Sequence, residues 1–396
     1  MAKLIEITGK VLSGEWGTDD ETGNGIPVLR TTNFTNEGIV DYSNVVTRNI
    51  VKKGIEEKYL RNGDIIIEKS GGSDKQPVGR VIYFDGPERT YLFNNFTGLL
   101  RVKNQEKWHP RYVFYSLFSN YRSGGTRTFQ NKTTGLHNLK TDDYVSSFNV
   151  TENDIATQEA ICKKLDLVDG IIRMHQKQLQ KLDDLVKARF VELFGDPISN
   201  PKGWKKDKAE SHIDLLSGYP FQSEQYVNDG INICGGLIIM PQKIQWQDCR
   251  HWPSVDGYED YLLAEDDIVM ALDRPWISEG FKIAQVDTTH LPALLIQRTA
   301  RIRGIDVNQQ YLFHCFVNGG FDKHSNVTGS LVPHISAKDI RSFEILLPPI
   351  KLQKQFAAFV KQVDKSKVIE AINKANILFN ITLNGGNRYD IRANEF

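Results

Sequence analysis

The sequence states one pattern twice. Tyr112-Val113-Phe114 in RYVFYSLFSN returns as Tyr311-Leu312-Phe313 in QYLFHCFVNG, 199 positions on. Asp64 ahead of Ile65-Ile66-Ile67 returns as Asp267 ahead of Ile268-Val269-Met270, 203 positions on. Gly79 with Ile82 answers Gly280 with Ile283, Thr134-Gly135 answers Thr328-Gly329, and Gln158 answers Gln353. The offsets drift by a few positions, as two copies of one unit with small insertions would. A period of about 200 residues is a whole domain plus a helix, far longer than a solenoid module. The chain therefore folds as two similar, non-identical domains, suited to reading two similar, non-identical things.

Residues 1–152 hold short β-branched or aromatic runs between turn residues: VVTRNIV, DIIIE, GRVIYF and GLLRV read as strands. HPRYVFYSLFSNY reads as a helix from Pro110, with Tyr112, Tyr115, Leu117 and Phe118 facing inward. From 153 to 195 the pattern changes. Ile161, Leu165, Val168, Ile172, Leu179, Leu182, Val186 and Leu193 recur in steps of four and three, the seam of a coiled coil. His175 and Arg189 interrupt the seam, and Gly170 costs roughly 1 kcal/mol of helix propensity. Gly195 and Pro197 stop the helix, whose periodic run over 157–194 at ~1.5 Å per residue is about 57 Å long. A helix of that length needs a partner. Residues 196–203 are a linker of turn residues. A second domain spans 204–349, with strands INICGG, DDIVMAL, FKIAQV and LLIQRTARIR. A second helix follows over 350–380, where Leu352, Phe356, Phe359 and Val363 keep the same spacing before the seam decays at Ser366. The tail 381–396 has no clear pattern. The expected fold class is α+β: two pseudo-repeated domains, each a small twisted sheet plus helices, separated by two long antiparallel coiled-coil helices.

Composition narrows the function. The 49 basic and 49 acidic residues argue against indiscriminate nucleic-acid binding and leave room for a local basic surface. The four cysteines show no CxxC pair and read as reduced, buried thiols. Sequons such as Asn33-Phe34-Thr35 read as accidental. No hydrophobic leader and no apolar run near ~20 residues is present, so a soluble, cytoplasmic protein without membrane contact is expected. Phosphate loops, HExxH, GxSxG, paired Cys/His ligands and Asn-Pro-Pro-Tyr methylase signatures are absent from the sequence. Asp41 with Glu56-Glu57-Lys58 formally fits a metal-dependent nuclease spacing. The segment VKKGIEEKY lacks strand character, however, and the second repeat lacks the motif. The nine histidines read as structural rather than catalytic; His137 and His334, which fall near matching places in the repeats, are the two to watch for another role.

The polar segments between strands carry the remaining signal. Lys69, Ser70, Ser73, Lys75, Gln76 and Arg80 surround one glycine-containing stretch. Arg127, Gln130, Asn131 and Lys132 occupy another. The second domain offers Arg274, Trp276, Lys323, His324 and Asn326 as counterparts, and Arg30 and Arg298 are further basic candidates. Arg and Lys suit guanine edges and phosphates, Asn and Gln suit adenine, and Gly admits close backbone approach.

LVKARFVELFGDPISNPKGW (185–204), SGYPFQSEQYVNDGINICGG and LPPIKLQKQFAAFVKQVDKSK (347–367) then complete a resemblance. With the repeated DIIIEKSGGSDKQPVGRVIYF and DDIVMALDRPWISEGFKIAQV regions, the chain resembles the specificity (S) subunits of type I restriction-modification systems over nearly its whole length. The resemblance implies a non-catalytic subunit whose two target recognition domains each read half of a split, asymmetric DNA site. It implies that seam residues Ile161, Leu165, Val168, Ile172, Leu179, Leu182, Val186, Leu352, Phe356, Phe359 and Val363 build a helical ruler. Methyltransferase (M) subunits would dock on that ruler, and restriction (R) subunits are further partners of such assemblies. No cofactor is expected in this chain; S-adenosylmethionine would sit in the methyltransferase partners. The balanced charge predicts weak DNA binding by the isolated chain. Other readings are a subunit of a related type II-like or fused system, a self-contained nuclease or methyltransferase, and a coiled-coil scaffold without DNA function.

Overall fold

The computed structural model describes residues 1–73, 76–133, 136–325 and 333–383, with side chains described at all of them except 132–133 and 373–383. These residues form two compact units that divide at Ile171/Ile172. The division falls inside the long helix Ile155–Phe194 rather than after it.

In the first unit a four-stranded antiparallel sheet runs in the order Leu12–Ser13, Thr97–Leu100, Ile65–Glu68, Val81–Tyr83. The triple isoleucine explains itself here. Ile65 and Ile67 face the core beneath helix Pro110–Arg122, while Ile66 faces a second core around Leu29, Phe84 and Phe93. A strand covered on both faces has no reason to alternate. A second sheet orders Thr18–Asp19, Val46–Asn49, Ile26–Leu29 and Leu92–Phe93, its last pair being parallel.

The second unit repeats this plan. Its main sheet orders Ile213–Ser217, Thr299–Gly304, Ile268–Ala271 and Ile283–Gln285. Ile268 and Met270 face one core and Val269 faces another. Ile231–Cys234 pairs antiparallel with Arg250–Trp252 and parallel with Ala293–Leu295. LLIQRTARIR is thus two strands in two sheets. The chain turns at Gln297-Arg298, where Arg298 takes φ +62, a left-handed conformation that ends the first strand.

The same bonds recur at matching places. Arg101 grips Asp64 through Nε (2.7 Å) and Nη2 (2.6 Å), and Arg303 grips Asp267 through the same two atoms. The Lys69 amide donates to Phe96 O at 2.8 Å, and the Leu272 amide to Arg298 O at 2.9 Å. These bonds also correct two sequence matches. Ile82 pairs with Ile66, but the residue opposite Val269 is Ala284, so Gly79/Ile82 and Gly280/Ile283 lie one residue out of register. Asn138 pairs with Ser70 and His334 with Asp273, so His334 corresponds to Asn138, not His137. A one-residue slip sends a side chain to the opposite face.

Helix Pro110–Arg122 begins at the expected proline and buries Tyr112, Val113, Phe114, Leu117 and Tyr121. Tyr115 and Phe118, expected inward, are half-buried; the Tyr115 hydroxyl donates to Asp166 Oδ1 at 2.5 Å. The long helix ends at Gly195 (φ +80), whose amide donates to Val191 O at 2.8 Å. Its start packs on the first unit, with Cys162 buried there and Ile161 against the same core.

Within the second unit, residues 172–194 pack on helix Ile350–Leu383. Phe190 and Phe194 lie 5.5 and 5.6 Å from Phe356 between ring centroids. Lys367 Nζ is 2.7 Å from Asp183, and His175 Nδ1 is 3.1 Å from Glu370. One set of numbers rises as the other falls, so these stretches run antiparallel. Val186, Phe356 and Val363 are buried in this core, with Leu182, Leu352 and Phe359 against it. Leu165, Val168, Ile172 and Leu179 are half-buried.

Each long helix is anchored by one glutamine. Gln158 Oε1 accepts from the His109 amide at 2.9 Å, and its Nε2 donates to Lys107 O and Asn153 O at 2.9 and 2.8 Å. Gln353 repeats the clamp with the Asn308 amide (2.9 Å) and Pro348 O (2.8 Å). Gln158→Ala and Gln353→Ala should each cost about 2–3 kcal/mol in urea unfolding, because orphaned buried backbone groups cost ~1–3 kcal/mol apiece. A loss under about 0.5 kcal/mol would show that the clamp is dispensable.

Candidate nucleic-acid interface

In the first unit the two polar segments are not separate loops. Ser70–Gly72, Gln130–Thr133 and Leu136–Leu139 form one sheet with Leu136–Leu139 at its centre. Tertiary pairing overrides the weak strand propensity of Ser-Gly-Gly and Gln-Asn-Lys-Thr. Gly79 (φ +106) brings the chain against Thr126, whose side chain would sit 2.8 Å from any added Cβ.

Beside this sheet lies the turn Arg30–Phe34. Buried Asn33 organises it, accepting from the Arg30 amide at 2.9 Å and donating to Asp41 O and Asn44 O at 2.9 and 3.1 Å. This buried asparagine is no glycosylation acceptor. Arg80 braces the turn from below: Nη1 donates to Phe34 O and Nη2 to Thr31 O, both at 3.1 Å. The same guanidinium holds Glu68 through Nε (3.2 Å) and Nη2 (3.1 Å). Arg80 is thus occupied as a structural brace.

Arg30 Nη2 donates to Asn44 O at 3.1 Å, and its buried Nε has no hydrogen-bond partner. Lys69 donates to Ser13 Oγ at 2.7 Å; burial and then the charge of Lys58 push its pKa down. Ser73 caps the Gln76 amide at 3.1 Å, and exposed Gln76 reaches Asn36 Oδ1 at 3.4 Å. Gln130 is turned inward, accepting from the Val78 amide and meeting His137 Nδ1 at 3.0 Å. Arg127 and Asn131 are exposed. Lys75 and Asn326 lie outside the described residues, as does the side chain of Lys132.

The second unit has the same turn with different occupants. Lys282, nine-tenths buried, stands where Arg80 stands and donates through Nζ to Gly236 O. Ala271 replaces Glu68, so no carboxylate accompanies Lys282 at that position. Burial, then nearby Arg274, push the ammonium pKa down. Arg274 is exposed at φ +45, its amide donating to Pro333 O at 2.7 Å. Arg298 is exposed and reaches Asp273 Oδ2 at 3.0 Å. Trp276 stacks on Phe281 at 4.8 Å between centroids and is half-buried. Lys323 is exposed, while His324 Nε2 lies 3.1 Å from Ser342 Oγ and 3.2 Å from Asp339 O.

Sequence reasoning missed Thr32, Phe96 and Leu237 at these turns. Leu237 is 89% exposed and Phe96 51% exposed. Only their neighbours, Gly235-Gly236 and Asn94-Asn95, gave any turn signal.

Among the described residues, no group of three or more His, Cys, Asp or Glu could hold a metal ion. The nuclease-like residues are engaged separately: Lys58 pairs with Glu15, and Glu56 with Arg89. Cys162, Cys234, Cys249 and Cys315 are free thiols, all buried but Cys249, which is half-buried. No helix among the described residues is long and apolar enough to cross a membrane.

The arrangement, basic and amide groups on braced turns, suits the edges and phosphates of nucleic acid. The family model for the type I restriction modification DNA specificity domain matches residues 2–184 and 254–378. The specificity subunit of type I restriction enzyme EcoAI from Escherichia coli is 30% identical over 215 residues, covering 51% of this chain and only 35% of that subunit. The MjaVIII specificity subunit of Methanocaldococcus jannaschii is 24% identical over 384 residues, 89% of this chain and 88% of that one. A crystal structure of a type I S subunit from M. genitalium matches with TM-score 0.52 over 96% of this chain and 93% of that one. At 11% identity it speaks for the fold alone.

Proposed function

This chain belongs to the type I restriction modification DNA specificity family, and from that premise we propose that it selects the DNA site for a restriction-modification assembly. Each unit reads one half of a bipartite, asymmetric site. Phosphate contacts set its position, and exposed groups on the braced turns read base edges. The observation that carries this reading is the repeated skeleton. Identical backbone bonds hold equivalent turns in both units, while the exposed residues on those turns differ.

The chain contributes recognition, and adenine methylation belongs to methyltransferase subunits that hold S-adenosylmethionine. Those subunits dock on the long helices. Several of the seam residues are turned into the chain's own packing, so docking falls to outward apolar residues: Leu167, Met174, Leu185, Val368, Ile369 and Ile372 are all exposed.

Co-expression with the host's methyltransferase, followed by sequencing of methylated bases, tests the proposal. A split adenine-methylated motif is expected. Stable chain with no partner and no motif would leave a scaffold role ahead. The isolated chain should bind DNA weakly, because its charges balance; nanomolar, site-specific binding by the chain alone would overturn that part.

A further inference from the structure

The two units hold two exposed turns with the same bonds. In one turn, the Asn94 amide donates to Leu29 O at 3.0 Å and the Ile296 amide to Cys234 O at 3.2 Å. Those bonds place Thr32 and Leu237 at equivalent tips, each above a carbonyl held by a cation from beneath, half-buried Arg80 or buried Lys282. In the other turn, Thr97 and Thr299 hydroxyls donate back to Asn94 O and Ile296 O. Phe96 and Arg298 occupy the equivalent tips, their carbonyls accepting from Lys69 and Leu272.

The occupants are exchanged in character. The first unit carries a hydroxyl at one tip and an apolar ring at the other. The second carries an apolar side chain at the first tip and a guanidinium at the second. An 89% exposed leucine on a turn braced from beneath is held out into solvent, not folded back.

We infer that these two tips are the specificity-determining positions at which the units diverge. Resting on the DNA-recognition reading above, the inference assigns chemistry to each. Leu237 and Phe96 meet apolar base surface, the C5 methyl of thymine in the major groove. Arg298, steadied by Asp273 Oδ2 at 3.0 Å, meets the paired acceptors of guanine. The exchange places the apolar contact at different points of the two half-sites, so the site reads as asymmetric.

The test is methylated-base sequencing of the co-expressed assembly with single variants. Arg298→Ala should relax one guanine position in one half-site and lower methylation of the original motif about 10- to 100-fold. Leu237→Thr should relax one position in that same half by about 5-fold, and Leu237→Ile should keep it. Phe96→Ala should act only on the other half. All three side chains are exposed, so unchanged melting temperatures are expected to accompany these effects. Unchanged motifs in every variant, beside a well-defined wild-type motif, would overturn the inference alone. A uniform loss of rate with the motif intact would overturn it too, by reducing the tips to backbone contacts. The absence of any split motif in the wild type would instead sink the recognition reading itself.

Discussion

Arg80→Met should destabilise the first unit by about 3–5 kcal/mol, whereas Lys282→Met at the equivalent place should cost about 1 kcal/mol or less. Both residues brace a turn by donating to its carbonyls, and a residue count alone predicts similar losses. Their surroundings differ in one respect. Arg80 neutralises Glu68, which is only 2% exposed, and removing the guanidinium strands a buried carboxylate. Lys282 faces Ala271 there, and its own ammonium is disfavoured by burial. Methionine relieves that desolvation and forfeits one hydrogen bond to a half-buried carbonyl. Hydrogen exchange read separately over the two sheets, at matched denaturant, distinguishes the outcomes. Equal losses for both variants would show that the brace, not the ion pair, governs stability. Glu68→Leu combined with Arg80→Met should recover much of the loss, since replacing both partners of a buried pair leaves no orphan charge.

The pattern of what could be read from the sequence follows from which forces act locally. DIIIE and DDIVMAL were legible because a strand buried on both faces must be continuously apolar. The long helix was legible because its periodicity, its capping Gly195 and Pro197 are all local signals. Asp64 and Asp267 stood out as a repeat, yet their arginine partners, Arg101 and Arg303, lie 37 and 36 residues away and carry no sequence mark of the pairing. LLIQRTARIR looked like one strand because both halves are apolar; only the left-handed Arg298 divides them. The segments around Ser70 and Gln130 read as loops because their pairing in one sheet is non-local. The basic residues of the candidate interface drew attention by type. Among the polar candidates, Arg80 and Gln130 above all point inward, while Leu237 and Phe96 point outward. Exposure at a turn is set by the fold beneath it and not by the residue's hydropathy.

Acid should weaken the second unit through His314. The ring is packed among Phe190, Phe313 and Phe356, at 6.3, 5.3 and 5.1 Å between centroids. Its Nδ1 meets Asn318 Nδ2 at 3.3 Å. Burial first, and the ammonium of Lys367 second, hold its pKa down to about 3 from the ordinary 6.5. Lys367 is itself paired with Asp183 and Asp364 and stays charged throughout the range. The sign follows from proton binding. Between about 3 and 6.5 the unfolded chain holds a proton that the folded one refuses, so stability is full above 6.5 and falls as the pH drops, by ~1.4 kcal/mol per unit. Going from pH 7 to pH 5 should therefore cost about 2 kcal/mol through this residue. His212, bonded to Asp306 at 2.8 Å, is a further histidine of this unit, so the total slope is not diagnostic. The difference between wild type and His314→Leu is. Leucine fills a similar volume without a titrating group, and its urea midpoint should fall less than that of the wild type over pH 7 to 5. Parallel curves would mean that His314 gains a proton without disturbing the packing of Phe190 on Phe356. A flatter variant curve would mean that the contact between the two long helices in this unit depends on an uncharged imidazole.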